Sequence, residues 1–205
     1  SQKNWPEVKL IHFTKLFNPD QHFTLKHQYQ DLTVVPFAGN YQETLDSFIR
    51  ENYAKFPIYS KQNFFTDAGV WIPRGLLYRF YKLEDLPSRD EIYNQIGNDW
   101  NKYHNPLSQS LSRYQNLMLA DILRIYAIAH QETGYWLAKN EYLREAESHL
   151  LEAINLFPKD PDNYVILVQV YIALKDCESA QLRLDQFEPL NPSDSRVYYL
   201  KTLNY

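Results

Sequence analysis

Hydrophobic positions divide the chain into a first part with short apolar runs and a second part with helical periodicity. Up to about Leu86 the apolar runs are short, rich in β-branched residues, and separated by Pro, Gly and Asn. From Ser88 onward apolar residues recur every three or four positions, which is the spacing of one helix face. Pro87 disfavours a helix at the residue before it, so the sequence predicts two domains, 1–87 and 88–205.

The first part is predicted to be a small α/β layer. Four short apolar runs have the length and composition of strands, and two segments between them have helical patterns. The predicted strands are 8–13, 31–37, 56–59 and 76–81, and the predicted helices are 20–29 and 41–53. The second strand is apolar on both faces, and strands alternate with helices, so a mainly parallel sheet is expected.

Polar residues follow the first two predicted strands. Ligands of parallel α/β sheets usually bind beyond the carboxyl ends of the strands. Asn18 and Asp20 come after the first predicted strand, and Asn40 comes after the second. We therefore predict a ligand edge of the α/β sheet at these three residues, although ordinary loop composition explains them equally well.

The second part is predicted to be helical throughout. Ser88 and Glu91 have the spacing of a capping box, which predicts a helix from there to about Tyr103. Asn105 and Pro106 end this helix and begin the next, because proline is well placed in a first helical turn. The C-terminal third is then predicted to form two helical hairpins, about 128–161 and 162–195, with a terminal capping helix.

A constant 34-residue spacing relates these two hairpins. The pairs at this offset are small, apolar or proline in both copies: Ala146 and Ala180, Leu150 and Leu184, Ala153 and Phe187, Pro158 and Pro192. A small residue lets the second helix of a hairpin lie close to the first, and the leucine one turn later fills the interface. The prolines end the second helices, and Pro189 departs from the pattern, so a kink or an early helix end is expected there.

The hairpins resemble the tetratricopeptide repeat family, whose repeat length is the same 34-residue spacing. Gly134 stands at the position of the family's close-contact glycine, and Val168 replaces it in the next copy. The resemblance implies a concave groove, lined by the first helices, that binds a protein or peptide partner. The residues that it places in the partner-binding groove are Gln131, Tyr135, Lys139, Gln169 and Ile172.

The resemblance does not extend to every binding function of that family. Chaperone-binding members hold a peptide's terminal carboxylate with Lys and Asn, whereas Gln, Tyr and Val occupy such places here, so chaperone-tail binding is disfavoured. With barely two repeats the groove is shallow, and a structural role is as consistent with the sequence as peptide binding.

The first part resembles the soluble tails of certain bacterial multi-spanning membrane glycosyltransferases, which also continue into tetratricopeptide repeats. The similar motifs are DLTVVP from Asp31, FPIY from Phe56 and IPRGLLYR from Ile72. The resemblance implies a membrane-tethered, extracytoplasmic tail that reaches the membrane through segments upstream of Ser1. The catalytic carboxylates of such enzymes lie in loops between membrane helices, so no catalytic residue is assigned to this chain.

The composition of the chain argues against several classes of function. A net charge of −4, a pI of about 5.9 and no run of four basic residues give no basic face for nucleic acid. The sequence contains neither a phosphate-binding glycine motif nor the G-x-S-x-G motif. It has one cysteine, which cannot form an internal disulfide or a Cys-rich zinc site. We predict no catalytic residue, no cofactor, no metal site and no nucleic-acid partner.

Two hypotheses of different kinds follow. The leading one is a non-catalytic accessory domain of a membrane-bound glycosyltransferase, which positions a partner or acceptor near the membrane. The alternative is a free-standing, cytoplasmic tetratricopeptide adaptor for protein–protein interaction. A small independent enzyme built on the α/β part has the least support.

Overall fold

The computed structural model describes residues 9, 11, 13–107 and 119–203 of the chain. Contacts divide the chain into two compact units. The first unit contains Ser1–Trp71 and Arg79–Leu86, and the second contains Ile72–Tyr78 and Pro87–Tyr205. The predicted boundary at Pro87 coincides with the start of the long stretch of the second unit. The second unit additionally contains the short segment Ile72–Tyr78.

The first unit contains three described helices: α1 is Phe13–Leu16, α2 is Pro19–Gln28 and α3 is Tyr41–Asn52. The helices predicted at 20–29 and 41–53 are thus confirmed. The two longer helices begin at asparagine caps, because a side-chain oxygen at this position satisfies a backbone N–H of the first turn. A core of leucine, valine and phenylalanine side chains fills this unit: Leu16, Leu25, Leu32, Val34, Val35 and Phe48.

The predicted mainly parallel sheet is wrong, because the described sheet has three antiparallel strands. The strands are β1 (Tyr59–Ser60), β2 (Val70–Arg74) and β3 (Leu77–Tyr81), in the order β1-β3-β2. A two-residue turn joins β2 to β3, and such a turn can connect only antiparallel neighbours. Gly75 in that turn has a φ of 65°, a conformation that glycine adopts without steric cost.

The segment predicted as a strand at 31–37 is not part of the described sheet. The side chain of Asn52 accepts a hydrogen bond from the Thr33 N–H (2.9 Å) and donates one to the Thr33 carbonyl (2.8 Å). The hydroxyl of Thr44 accepts from the Ala38 N–H at 2.9 Å. Polar side chains of α3 therefore satisfy backbone groups that a neighbouring strand would otherwise pair. Of the strand predicted at 8–13, residues 8, 10 and 12 lie outside the described residues. Lys9 and Ile11 are not in a strand, and Phe13 begins α1.

The second unit is built from six described helices: α4 (Arg89–Trp100), α5 (Leu119–Lys139), α6 (Leu143–Leu156), α7 (Pro161–Ala173), α8 (Cys177–Phe187) and α9 (Ser195–Leu203). Both hydrogen bonds of the predicted capping box, between Ser88 and Glu91, are present at the start of α4. This helix ends at Trp100, before the predicted end at Tyr103. The helix predicted after Pro106 falls mainly on 108–118, outside the described residues.

Helices α5 and α6 form one hairpin, and α7 and α8 form a second, with α6 packed against α7. Ala146, Leu150, Ala180 and Leu184 are completely buried, as the 34-residue pattern predicts. A Cβ atom added to Gly134 would lie 2.7 Å from Leu150 Cγ, so α5 and α6 are in close contact at this glycine. Helix α8 ends before Pro189, which agrees with the expected early termination.

The turns inside the two hairpins have the same backbone geometry at the same repeat position. Glu141 and Lys175, which are related by the 34-residue spacing, have φ values of 69° and 59°. The residue after each one donates its N–H five positions back: Tyr142 to the Leu137 carbonyl (3.0 Å) and Asp176 to the Tyr171 carbonyl (2.9 Å). These contacts form the Schellman type of helix end, so both first helices stop by the same mechanism.

Candidate functional site

The first-helix face consists of the five predicted groove residues, which lie on the first helices of the two hairpins. Gln131, Tyr135 and Lys139 lie on α5, and Gln169 and Ile172 lie on α7. Tyr135, Lys139 and Gln169 are exposed, whereas Gln131 and Ile172 are half-buried. Tyr135 and Gln169 hold the same repeat position, so they are equivalent points on consecutive first helices.

Contacts within the first-helix face fix its polar and aromatic groups. The Lys139 Nζ lies 4.9 Å from the centre of the Tyr135 ring, within the range of a cation–π interaction. The Nε2 of Gln131 is buried and has no hydrogen-bond partner in the part of the chain that the structure describes. Buried amide donors are normally hydrogen-bonded, so this donor is an exception within the described residues.

The same repeat positions continue onto α9, beyond the predicted groove. Leu203 is the repeat equivalent of Gln169, and Tyr199 is the repeat equivalent of Val165. Both side chains are exposed, Tyr199 by 60% and Leu203 by 48%. Extending the 34-residue spacing by one further step would have identified them. One repeat position, that of Tyr135, Gln169 and Leu203, is thus exposed on all three helices.

The predicted ligand edge at Asn18, Asp20 and Asn40 does not lie at a sheet edge. The Asn18 side-chain oxygen accepts a hydrogen bond from the Asp20 N–H (3.0 Å), which caps α2. The Asn40 side-chain oxygen accepts from the Glu43 N–H (2.8 Å), which caps α3. None of the described strands precedes these residues, so the parallel-sheet edge on which this prediction depended is absent from the described part of the chain.

A second candidate is the α4–α6 pocket, a cavity of about 270 Å³ in the second unit. Its apolar lining includes Ile96 and Leu137, both buried. Its polar lining comes from one face of α4 and one face of α6: Tyr93, Asn94, Asn98, Asn101, Glu145 and His149. This pocket was not predicted from the sequence, although three asparagines at i, i+4 and i+7 of a predicted helix were a visible signal.

A pair of histidines beneath Trp100 lies beside this pocket. The Nδ1 atoms of His130 and His149 are 2.9 Å apart, so one ring donates a hydrogen bond and the other accepts it. Trp100 stacks on His130 with 3.9 Å between ring centres, and its indole N–H donates to the Thr133 hydroxyl at 3.2 Å. These contacts join α4, α5 and α6 through their side chains.

Burial keeps both imidazoles neutral. Desolvation, together with the charge of its neighbour His149, lowers the pKa of His130 from 6.5 to about 3. Desolvation also lowers the pKa of His149 from 6.5 to about 4. A neutral pair can share one hydrogen bond, whereas a doubly protonated pair would leave two buried donors facing each other. Near neutral pH the neutral pair therefore forms one hydrogen bond between α5 and α6.

Among residues 9, 11, 13–107 and 119–203, no group of three or more His, Cys, Asp or Glu side chains could hold a metal ion. None of the helices in these ranges is both long enough and apolar enough to span a bilayer.

Comparison with protein-family models, curated proteins and solved structures finds no match to this chain. The first-helix face and the α4–α6 pocket are the two candidate sites. Of these, the first-helix face is the one whose positions repeat from helix to helix.

Proposed function

We propose that the second unit is a tetratricopeptide-type binding module that holds a protein partner on its first-helix face and catalyses no reaction. The observation that carries the proposal is the repetition of one hairpin geometry at the 34-residue spacing. The matching turns at Glu141 and Lys175 and the buried pair Ala146 and Ala180 support it. Repetition of the hairpin gives α5 and α7 equivalent exposed positions, which can contact one extended partner.

The chemistry of the first-helix face supports a protein partner over a small or highly charged ligand. Tyr135 offers a large ring with a polar hydroxyl, a type of side chain that is enriched in protein interfaces. Gln169 offers an exposed amide that can both donate to and accept from a peptide backbone. Lys139 is the only formally charged residue among the five, so the face carries little net charge.

We further propose that this module belongs to the extracytoplasmic tail of a bacterial membrane-bound glycosyltransferase. The support is the IPRGLLYR motif from Ile72, which contributes to the β2–β3 hairpin, together with the 34-residue repeat. In this role the module would position a partner or acceptor near the membrane active site. The alternative remains a free-standing cytoplasmic adaptor.

The native gene product distinguishes these two settings. Hydrophobic membrane-spanning segments upstream of Ser1 would support the glycosyltransferase tail. A native protein without such segments would contradict the tail and leave the adaptor. Neither result changes the proposal that the first-helix face binds a partner.

Site-specific photocross-linking in the native host tests partner binding itself. A photoreactive phenylalanine derivative replaces Tyr135 or Gln169 in the full-length protein. Matched controls carry it at Ser148 or Leu182, which are also repeat equivalents of each other and exposed but lie on the second helices. We expect positions 135 and 169 to give the same cross-linked adduct, and positions 148 and 182 to give none.

The adduct must then respond to changes in the first-helix face. Tyr135→Ala removes the exposed ring and should weaken the adduct formed at position 169. Equal cross-linking from first-helix and second-helix positions, or no adduct at 135 and 169, would refute binding through this face.

A further inference from the structure

The α4–α6 pocket contains three asparagine amides that the described part of the protein does not itself use. Asn94, Asn98 and Asn101 follow one another at i, i+4 and i+7, so they lie along one face of α4 and just beyond its end. All three are exposed. Within the described residues, no protein group forms a hydrogen bond with any of these side-chain amides. Each amide supplies two N–H donors and one carbonyl acceptor.

The opposite wall supplies polar groups in fixed positions. The Tyr93 hydroxyl donates to Glu145 Oε1 at 3.0 Å, and the Tyr93 ring stacks on Tyr142 with 4.3 Å between ring centres. His149 is held by its hydrogen bond to His130 and by Trp100. Both Glu145 and His149 therefore face the pocket from anchored side chains, which reduces the entropy lost when a ligand binds.

The charge of the lining limits the ligand class. Among the described residues, neither lysine nor arginine lines the pocket, and one carboxylate does, so a phosphate or carboxylate ligand would lack a counter-charge. An apolar ligand would leave the amides and the carboxylate without partners when water is displaced. A cation would meet only one carboxylate, which already accepts a hydrogen bond from Tyr93.

We infer that the α4–α6 pocket binds a neutral polyhydroxylated ligand of about the size of one sugar ring. Adjacent hydroxyls both donate and accept, which matches the amides of Asn94 and Asn98. The Glu145 carboxylate accepts from a further hydroxyl. The cavity of about 270 Å³ is slightly smaller than the roughly 300 Å³ at which the size range of small-molecule sites begins, which suits a single sugar ring. This site uses α4 and α6 and is independent of the partner-binding proposal for the first-helix face.

Two-dimensional NMR of the full chain, labelled with ¹⁵N, tests this inference. The probes are methyl glucoside, methyl mannoside and N-acetylglucosamine, with inorganic phosphate and arginine as charged controls. We expect at least one sugar to shift the side-chain amide signals of Asn94 and Asn98 saturably, with a Kd on the order of 1 mM. Phosphate and arginine should leave these signals unchanged.

Matched variants make the test specific. The double variant Asn94→Ala/Asn98→Ala should weaken sugar binding by about tenfold or more, because it removes most of the ligand's hydrogen-bond partners. Asn155→Ala is the control, since Asn155 is an exposed residue of α6 outside the pocket lining. Glu145→Gln should retain binding within about threefold, because an amide oxygen still accepts from a neutral hydroxyl.

Three outcomes would overturn the inference. The first is the absence of saturable shifts with any of the sugars. The second is sugar binding that persists in the double asparagine variant. The third is preferential binding of arginine that Glu145→Gln abolishes, which would identify a site for cations instead.

Discussion

Two residues with positive φ show at the residue scale how the hairpins repeat. Glu141 and Lys175 occupy the left-handed region although neither is glycine. Their side chains make this conformation unfavourable, and it persists because the Schellman hydrogen bonds end the first helix of each hairpin. The strain is therefore local and can be removed without changing the fold.

Lys175→Gly should raise the free energy of unfolding by about 1 kcal/mol, because glycine adopts positive φ without a Cβ clash. Glu141→Gly should stabilise less, since Glu141 also forms an exposed ion pair with Arg89 at 3.4 Å. Urea unfolding of both variants measures these changes. Asn155→Gly, an exposed position within α6, is the control and should destabilise the protein by less than about 1 kcal/mol.

Two helical glycines should respond oppositely to alanine. Gly134→Ala should lower the free energy of unfolding by about 1–3 kcal/mol, because the added methyl group would meet Leu150 Cγ at 2.7 Å and the Ala146 carbonyl oxygen at 3.2 Å. Gly97→Ala should raise it by about 0.5–1 kcal/mol, because a Cβ atom at this site meets no atom within 4 Å. A neutral effect of Gly134→Ala in chemical unfolding would show that the hairpin is looser than described.

The histidine pair should make stability depend on pH. Both native pKa values lie below the ordinary value of 6.5, so the unfolded chain binds more protons between about pH 4 and 6.5. Stability is therefore fully present above pH 6.5 and is lost as the pH falls, by roughly 1.4 kcal/mol per pH unit for each histidine.

The double variant His130→Leu/His149→Leu should remove this dependence. We expect the difference in unfolding free energy between pH 7 and pH 5 to be smaller in the variant by at least about 2 kcal/mol. Chemical unfolding at the two pH values measures the difference. An unchanged pH dependence would mean that the two imidazoles are already accessible to protons in the native state.

At the scale of elements, the pattern of the sequence predicted the helices better than the strands. Of the four predicted strands, 76–81 agrees closely with a described strand, β3. Periodicity and caps identified α2, α3 and α4, because the signals lie within each helix. A short apolar run such as 31–37 fits a strand and an extended loop equally well. Its backbone partner is the side chain of Asn52, which lies 19 residues after Thr33, and no local pattern indicates that contact.

The candidate sites also differ in how far they could be predicted from the sequence. The first-helix face could be predicted from sequence because a fixed repeat places its residues. The α4–α6 pocket requires knowledge that α4 packs beside α6, through Tyr93 with Tyr142 and Trp100 with His149. The predicted ligand edge depended on the parallel sheet, and Asn18 and Asn40 serve as helix caps instead.

Asn40 should accordingly behave as a cap. Asn40→Ala should lower the free energy of unfolding by about 1 kcal/mol, because the Glu43 N–H loses its side-chain acceptor. Asn40→Asp should have nearly native stability, because a carboxylate oxygen accepts the same hydrogen bond. Thermal unfolding compares the two variants. Equal stability of Asn40→Ala and the native protein would show that the cap contributes nothing.

At the scale of the whole molecule, the two units have separate cores. One core contains Leu25, Val35 and Phe48, and the other contains Leu150 and Leu184. The second core continues through both hairpins to α9. Residues on the first helices can form one binding surface only if the two hairpins pack in the same register, so the proposed function depends on that register.

Nuclear Overhauser contacts between first and second helices measure the register most directly. We expect contacts between the Leu150 methyl groups and Gly134, and the equivalent contacts between the Leu184 methyl groups and Val168. Each residue of the second pair is the repeat equivalent of one in the first. Contacts of Leu184 with residues one turn away on α7, such as Ile172, and none with Val168, would contradict the repeated hairpin.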